Sequence, residues 1–169
     1  MRELVDLARL TPSSYNLQPL KYLLSAQEEK NRRIYPCLTM GSRLPDRRPL
    51  PENQHPAAYI IILGDTSISG EVQCDQGIAA QTILLGAVER GLGGCMVGSI
   101  NRKRLRRELD IPSRYRILLA VALGKPVEKV VVEPLGSDGD TSYWRDENGV
   151  HYVPKRSLEE IILTTKICP

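Results

Sequence analysis

The chain has 169 residues, which suits a single domain with a sizeable buried core. Hydrophobic residues make up 41% and charged residues 25%, as in ordinary soluble proteins, and a net charge of +3 is too small to indicate a nucleic-acid partner by itself. No apolar run approaches the roughly 18 residues of a membrane span, and the first ten residues do not resemble a signal peptide.

The spacing of the cysteines indicates a reducing compartment. Cys37, Cys74, Cys95 and Cys168 lie far apart and form no CxxC pair, so we expect reduced thiols rather than disulfides or a metal site. Together with the absence of a membrane span and of an export signal, this predicts a cytoplasmic protein.

Hydrophobic periodicity predicts the elements of the N-terminal half in chain order. The first is a short helix with Leu4, Leu7 and Ala8 on one face, ending near Pro12. The segments that follow are a strand over 20–25, a polar helix over 27–38 broken near Pro36, a surface loop or lid rich in proline and arginine over 41–56, and a buried central strand over 57–64.

The longest helix is predicted over residues 72–90, and one side of it is lined by small residues. Gly77, Ala80, Leu84 and Ala87 form one stripe, with Ala79, Ile83 and Gly86 beside it. Small side chains at this spacing allow two helices to approach closely. The stripe fits packing inside the chain or a subunit interface in a symmetric dimer, and the sequence leaves both open.

The C-terminal half is predicted to contain more strands than helices. Its elements are a buried strand over 93–100, a helix over 101–109 with Asn101 as N-cap, core strands over 116–124 and 127–133, a hairpin over 142–153 turning at Asn148-Gly149, and a closing helix over 157–164. Helices and strands are interspersed without strict alternation. This predicts an α+β sandwich around a mixed sheet, in one domain over residues 1–169.

Three stretches are typical of a site for a flat, phosphorylated cofactor. TPSSYNLQPL (11–20) places short polar groups where neither helix nor strand can form, although local turns would also explain it. GLGGCMVGSI (91–100) offers bare backbone to a ligand. VPKRSLEE (153–160) sets two cations before a helix start, with Ser157 as a possible cap, and this arrangement suits a phosphate.

Other patterns favour ordinary structural roles. GLGGCMVG lacks the third glycine of a Rossmann fingerprint, since Met96 stands there, and it follows a helix rather than a strand. RKRLRR (102–107) has a buried side at Leu105 and no aromatic residues to stack bases, so a solvated basic face is favoured over nucleic-acid binding. His55 and His151 are isolated, and we expect surface residues and no metal site.

Four segments, in order and spread over nearly the whole chain, resemble the FMN-dependent nitroreductase family. DLARLTPSSYNLQPLKYLL resembles the family's first helix and its Pro-Ser-x-x-Asn-x-Gln-Pro signature. The other three are CDQGIAAQTILLGAVERGLGGCMVGSI, similar to its long interface helix and flavin-side strand, LLAVALGKPVE, similar to its core strand and Gly-x-Pro turn, and VPKRSLEEII, similar to its basic C-terminal segment. The resemblance implies an α+β three-layer sandwich, with helices flanking a mixed, mostly antiparallel central sheet.

The resemblance also implies a homodimer with FMN at the subunit interface. The loop that contacts flavin would come from the neighbouring subunit and contain Pro12, Ser13, Ser14 and Asn16. The N–H groups of Gly98 and Ser99 would point at flavin N5 and O4, Met96 and Val97 would pack on the ring, and Lys155 and Arg156 would neutralise the phosphate. Family members usually begin with an Arg-Arg-Ser-x-Arg segment that grips the phosphate, and this sequence is similar to a short member without it.

The activity that the resemblance implies is ping-pong hydride transfer. Electrons would pass from NAD(P)H through flavin N5 to a nitroaromatic, a quinone or a similar small conjugated acceptor. No dedicated catalytic side chain is required, in keeping with the isolated histidines. The alternative is a non-catalytic dimeric flavin-binding protein, weakened by the missing phosphate-binding segment. Neither interpretation requires nucleic acid or a membrane as partner.

Overall fold

The computed structural model describes residues 1–40 and 50–163, which fall into two units. The first unit contains residues 1–40 and 50–126, and the described part of the second contains residues 127–163. Each unit has a sheet of its own. The predicted loop or lid over 41–56 lies partly outside the described residues, and its last part contains a single 3₁₀ turn, Glu52–Gln54.

The sheet of the first unit has four antiparallel strands. They are β1 (Leu20–Ser25), β2 (Ala58–Asp65), β3 (Gly93–Val97) and β4 (Tyr115–Gly124), arranged in the order β1-β2-β4-β3. The inner strands β2 and β4 carry the longest apolar runs, because helices cover both faces at the centre of the sheet. Ile60, Ile61 and Ile62 of β2 are accordingly all fully buried.

Helices cover both faces of this sheet. They are α1 (Arg2–Arg9), α2 (Glu28–Ile34), α3 (Asp75–Glu89) and α4 (Arg102–Glu108). Leu4 of α1 and Ile83 of α3 pack with Ile60 and Ile62 on one face, while Ile34 of α2 and Leu105 of α4 pack with Ile61 on the other. The first unit is thus built of three layers. The predicted N-cap of α4 is confirmed, since the Asn101 side chain accepts a hydrogen bond from the Arg104 N–H at 3.0 Å.

The small-residue side of α3 faces the interior of the unit. Ala79, Ala80, Ile83 and Ala87 are fully buried. A Cβ atom at Gly86 would lie 2.7 Å from Leu7 Cδ1, so glycine is what allows α1 and α3 to approach this closely. Of the two interpretations left open by the sequence, packing inside the chain is the one that the structure shows for these residues. Gly77 is the exception, because it is exposed.

The prediction that residues 93–100 form a buried strand is wrong. β3 lies at the edge of the sheet and pairs only with β4, and Gly94, Cys95 and Met96 are exposed. Its glycines serve close packing instead. A Cβ atom at Gly94 would lie 2.5 Å from the Ala122 carbonyl oxygen, so β3 can pair with β4 here only without a side chain.

The second unit contains a smaller sheet of three strands. They are β5 (Val130–Pro134), β6 (Trp144–Arg145) and β7 (His151–Lys155), in the order β5-β7-β6, followed by the short helix α5 (Leu158–Ile161). The hairpin predicted around Asn148-Gly149 is confirmed, with β6 and β7 antiparallel and Gly149 at a φ of 75°. The strand predicted over 127–133 pairs in parallel with β7, and it is not a core strand, since Val130 and Val132 are exposed.

Two further expectations concern membranes and cysteines. None of the helices in the described ranges is long and apolar enough to span a membrane. Cys37 is buried, while Cys74 and Cys95 are exposed, and all three are free thiols. Cys168 lies outside the described residues.

Candidate functional site

The segment between α1 and β1 forms a tight loop, residues 13–18, which we call the signature loop. It contains one 3₁₀ turn, closed by hydrogen bonds from the Asn16 N–H to the Ser13 carbonyl (2.8 Å) and from the Leu17 N–H to the Ser14 carbonyl (3.1 Å). Tyr15, Asn16 and Gln18 have φ values of 51°, 54° and 52°. Non-glycine residues rarely adopt this left-handed region, so the conformation requires support from elsewhere.

Asp75 provides that support from the first residue of α3. The Ser13 hydroxyl donates to Asp75 Oδ2 at 2.5 Å, and the Ser14 N–H donates to Asp75 Oδ1 at 3.1 Å. The Gln18 N–H in turn donates to Ser13 Oγ at 2.9 Å. The signature loop is therefore tied to the N-terminus of the longest helix through a single carboxylate.

This carboxylate is almost completely enclosed. Asp75 is only 5% exposed, and its position at a helix N-terminus favours a negative charge. Burial raises the pKa of Tyr22 on β1 above its ordinary value, and the nearby charge of Asp75 raises it further. Sequence reasoning missed Asp75, because an acidic residue in the first turn is common to many helices and says nothing of a contact 61 residues away.

The rest of the signature loop keeps polar groups uncommitted. Within the described ranges, neither the Ser14 hydroxyl nor the Asn16 side-chain amide has a hydrogen-bond partner, and Asn16 and Pro12 are exposed. A hydroxyl and an amide together offer donors and acceptors to a bound molecule. Of the three predicted polar side chains in this loop, that of Ser13 is therefore engaged, while those of Ser14 and Asn16 have no partner among the described residues.

The residues after β3 present backbone rather than side chains. Gly98 and Ser99 are exposed, and their N–H groups donate to no described residue. A Cβ atom at Gly98 would meet nothing closer than Leu119 Cδ1 at 4.0 Å, so there is open space beside it. Met96 is 40% exposed, whereas Val97 is buried in the core. Of the two side chains predicted to face a ring, only Met96 is accessible.

The signature loop and the end of β3 lie toward the same end of the sheet but at opposite edges. Leu20, which begins β1, lies across β2 from Arg116 near the start of β4. β3 runs antiparallel to β4 and ends with Val97 opposite Ala120, so the residues after Val97 continue toward the same end of β4. β1 and β3 are three strand spacings apart, or about 14 Å. Within one chain, these two segments therefore present separate surfaces.

Lys155 and Arg156 lie in the second unit, at the end of β7. Lys155 is exposed and its side chain has no partner among the residues described, while Arg156 forms an ion pair with Glu160. The predicted cap is present, since Ser157 Oγ accepts from the Glu160 N–H at 3.2 Å. That these two cations contact a phosphate stays a prediction.

The basic helix α4 has structural contacts that account for two of its arginines. Arg102 Nε donates to the Ile117 carbonyl at 3.0 Å, and Arg106 donates to the carbonyls of Ile111, Pro112 and Tyr115 at 2.6–2.9 Å. These guanidinium groups fix the chain around β4. This supports the interpretation of RKRLRR as part of the fold rather than a nucleic-acid surface.

The two histidines have different surroundings. The His55 ring stacks on Tyr35 with centroids 3.5 Å apart. His151 is partly buried, with its side chain 17% exposed, and its Nδ1 lies 3.1 Å from Oε2 of Glu128, which precedes β5. Within the described ranges, no cluster of three His, Cys, Asp or Glu residues could hold a metal ion.

Comparison with known proteins gives a consistent result. The model of the nitroreductase family matches residues 1–125. A protein of Archaeoglobus fulgidus named as an NADH dehydrogenase/NAD(P)H nitroreductase is 28% identical, over 76% of this chain and 74% of that protein.

Solved structures agree with this match. The FMN-dependent nitroreductase of Clostridium difficile R20291 has a TM-score of 0.63 and 26% identity, over 76% of this chain and 75% of that one. A nitroreductase-type protein of Exiguobacterium sibiricum, solved in complex with FMN, has a TM-score of 0.60 and 16% identity, over 75% and 77%. The expected nitroreductase-like α+β fold is confirmed.

Proposed function

The chain belongs to the nitroreductase family of flavin oxidoreductases, and we propose that it binds FMN between two copies of itself and carries electrons from NAD(P)H to a small conjugated acceptor. The acceptor class is a nitroaromatic, a quinone or a similar molecule. The structural observation that carries the proposal is the signature loop, which is fixed by Asp75 while its Ser14 hydroxyl and Asn16 amide have no hydrogen-bond partner among the described residues.

The residues present fit this cofactor. Flavin carbonyl oxygens and ring nitrogens accept hydrogen bonds, and the Gly98 and Ser99 N–H groups, the Ser14 hydroxyl and the Asn16 amide are unused donors among the described residues. Met96 offers an accessible apolar surface beside them. When bound, FMN supplies hydride chemistry at N5, taking a hydride from NAD(P)H and delivering electrons in a second half-reaction.

The protein's own contribution is binding and orientation. Backbone N–H groups held at the end of a strand are fixed donors, so they favour negative charge that develops at the ring atom they face. The contacts proposed for Gly98 and Ser99 have this character, and we propose no catalytic side chain. Lys155 and Arg156 are proposed to neutralise the phosphate, as the resemblance implies.

The homodimer is supported by the second face of α3. The side opposite its buried small residues exposes Ile78, Leu85 and Val88, with exposed fractions of 38%, 62% and 64%. A helix that is apolar on nearly all sides is normally buried on all sides, so this face calls for a partner surface. A second copy would also bring the signature loop of one chain toward the β3 end of the other, which the opposite edges of one sheet keep apart.

The proposal is tested by following the two half-reactions separately. Protein reconstituted with FMN is mixed anaerobically with NADH or NADPH, and the flavin absorbance is then followed as menadione or nitrofurazone is added. We expect bleaching by at least one nicotinamide and recovery with the acceptor, with parallel double-reciprocal plots in steady state. Flavin that binds but is not reduced by either nicotinamide would favour the non-catalytic dimeric flavin-binding protein.

A further inference from the structure

We propose that Asp75 is the positioning residue of the signature loop, and that it directs Ser14 and Asn16, rather than Ser13, toward the flavin. This inference rests on the proposed function, because it assigns a role at the proposed FMN site. Ser13, Ser14 and Asn16 lie close together in the signature loop but differ in the hydrogen bonds that their side chains can still make.

The first argument is the hydrogen-bonding capacity of Ser13. A serine hydroxyl has one proton to donate and two lone pairs that accept. The Ser13 hydroxyl donates its proton to Asp75 Oδ2 at 2.5 Å, and one of its lone pairs accepts a hydrogen bond from the Gln18 N–H at 2.9 Å. Only one acceptor position is left. Ser13 therefore has no donor for a flavin carbonyl oxygen, whereas Ser14 and Asn16 keep theirs.

We call the two hydrogen bonds that Asp75 accepts from the signature loop the clamp, and the second argument is that this clamp requires a carboxylate. Asp75 accepts one hydrogen bond on each oxygen, from the Ser13 hydroxyl and from the Ser14 N–H. Asparagine at this position would offer one acceptor oxygen and an NH₂ group, so one of the two donors would lose its acceptor. Because Asp75 is only 5% exposed, water has little access to replace the lost hydrogen bond.

The third argument is the backbone that the clamp holds. Three non-glycine residues of the loop, Tyr15, Asn16 and Gln18, have positive φ values. Such residues persist only when the surrounding structure determines their conformation, and strain of this kind is concentrated at functional sites. The bonds to Asp75 and Ser13 bracket these residues, on Ser14 before them and on Gln18 at their end. Releasing the clamp should therefore allow the loop to relax and disperse the groups that face FMN.

The chain offers a closely matched control in Asp65. This aspartate is 4% exposed and likewise accepts hydrogen bonds from a serine hydroxyl and a serine backbone N–H, namely Ser67 Oγ at 2.6 Å and Ser67 N at 3.1 Å. Its carboxylate holds the turn after β2 instead of the signature loop. Both of its hydrogen bonds end on Oδ1, so Asp65→Asn replaces a buried carboxylate by an amide, as Asp75→Asn does, but keeps an acceptor for Ser67 and leaves the residues proposed to bind FMN unchanged.

The experiment measures FMN dissociation constants by flavin fluorescence for wild type, Asp75→Asn, Ser13→Ala, Ser13→Thr and Asp65→Asn. We expect about tenfold weaker binding for Asp75→Asn and Ser13→Ala, equivalent to about 1.4 kcal/mol. The double variant Asp75→Asn with Ser13→Ala should lose less than the roughly hundredfold expected of independent effects, because the two changes share the Ser13–Asp75 hydrogen bond. Ser13→Thr keeps the hydroxyl and should stay within about twofold of wild type, as should Asp65→Asn.

The remaining results each overturn a stated claim. If wild type binds FMN and both Asp75→Asn and Ser13→Ala bind equally well, the positioning role is wrong while the proposed function stands. If Asp65→Asn weakens binding as much as Asp75→Asn, or Ser13→Thr as much as Ser13→Ala, the effect is general destabilisation and the inference fails. If wild type binds no FMN, the proposed function fails, and the cofactor role of Asp75 fails with it. Ser13→Ala keeps the test open should Asp75→Asn not fold, since it alters only a hydroxyl.

Discussion

Lys155 and Arg156 are neighbours in sequence but differ in how they are engaged. The Arg156 guanidinium is paired with Glu160, whereas the Lys155 ammonium has no partner within the described part of the chain. A phosphate contact would require Arg156 to exchange one anion for another, while Lys155 would gain a partner. Between the two residues, Lys155 therefore has more to gain from an anionic ligand.

We predict that Lys155→Ala combined with Arg156→Ala weakens FMN binding at least tenfold. Charge-assisted hydrogen bonds contribute about 1.5–3 kcal/mol each, so losing both should be readily measured. Riboflavin, which lacks the phosphate, should bind equally to wild type and variant. Lys129→Ala serves as the control, because it removes an exposed lysine of the same unit. Unchanged FMN affinity in the double variant would mean that the phosphate is held elsewhere.

Individual site residues were predictable only where their local pattern is unusual. Ser13, Ser14 and Asn16 stand out because so many short polar groups between prolines are uncommon. Their division into engaged and free groups was not predictable, because it depends on Asp75, which is distant in sequence. Arg156 pairs with Glu160 four residues later but lies before α5, so the spacing of a helix does not by itself predict this pair.

At the scale of elements, α3 is the helix with two apolar faces. Its small residues pack against α1 and the sheet, and its larger ones, Ile78, Leu85 and Val88, are left exposed. Close packing inside the unit thus uses one side of this helix, and the proposed association with a second copy would use the opposite side. The proposed interface therefore differs from the small-residue stripe that the sequence indicated.

We predict that Leu85→Glu disrupts the proposed homodimer. A carboxylate introduced at a symmetric interface is buried twice without a partner, which is costly in free energy. Sedimentation equilibrium should show the dimer dissociation constant rising at least tenfold, with FMN affinity falling in parallel. Ile68→Glu, which changes an exposed aliphatic residue in the turn after β2, should leave both unchanged. A Leu85→Glu protein with an unaltered dimer would exclude this face of α3 as the interface.

Most elements followed from the hydrophobic pattern, and the exceptions have physical reasons. β1, β2 and β4 were predicted closely because their apolar runs are continuous and bounded by turn residues. The edge position of β3 was not predictable, because a glycine-rich strand has few side chains whose alternation could indicate a solvent-facing side. The strand near 127–133 was expected in the core, but a run of valines does not specify which sheet it joins.

On the scale of the whole molecule, the family match ends where the first unit ends. The match covers residues 1–125, and the first unit extends to residue 126. Lys155 and Arg156, which are proposed to contact the phosphate, belong to the second unit. That residues 1–169 form one domain, and that the protein acts in the cytoplasm, stay predictions from the sequence.

The central claim for the whole molecule is that two copies of this chain build two equivalent flavin sites. The signature loop and the end of β3 lie at opposite edges of one sheet, so a symmetric pair would complete a site at each end of its interface. Such a dimer requires equal numbers of cofactors and chains.

The most direct test is a titration of purified, flavin-free protein with FMN, followed by its visible absorbance and by fluorescence quenching, with the mass of the complex determined on the same sample. We expect saturation at one FMN per chain on a dimer. A protein that takes up no FMN, or that saturates as a monomer, would contradict it.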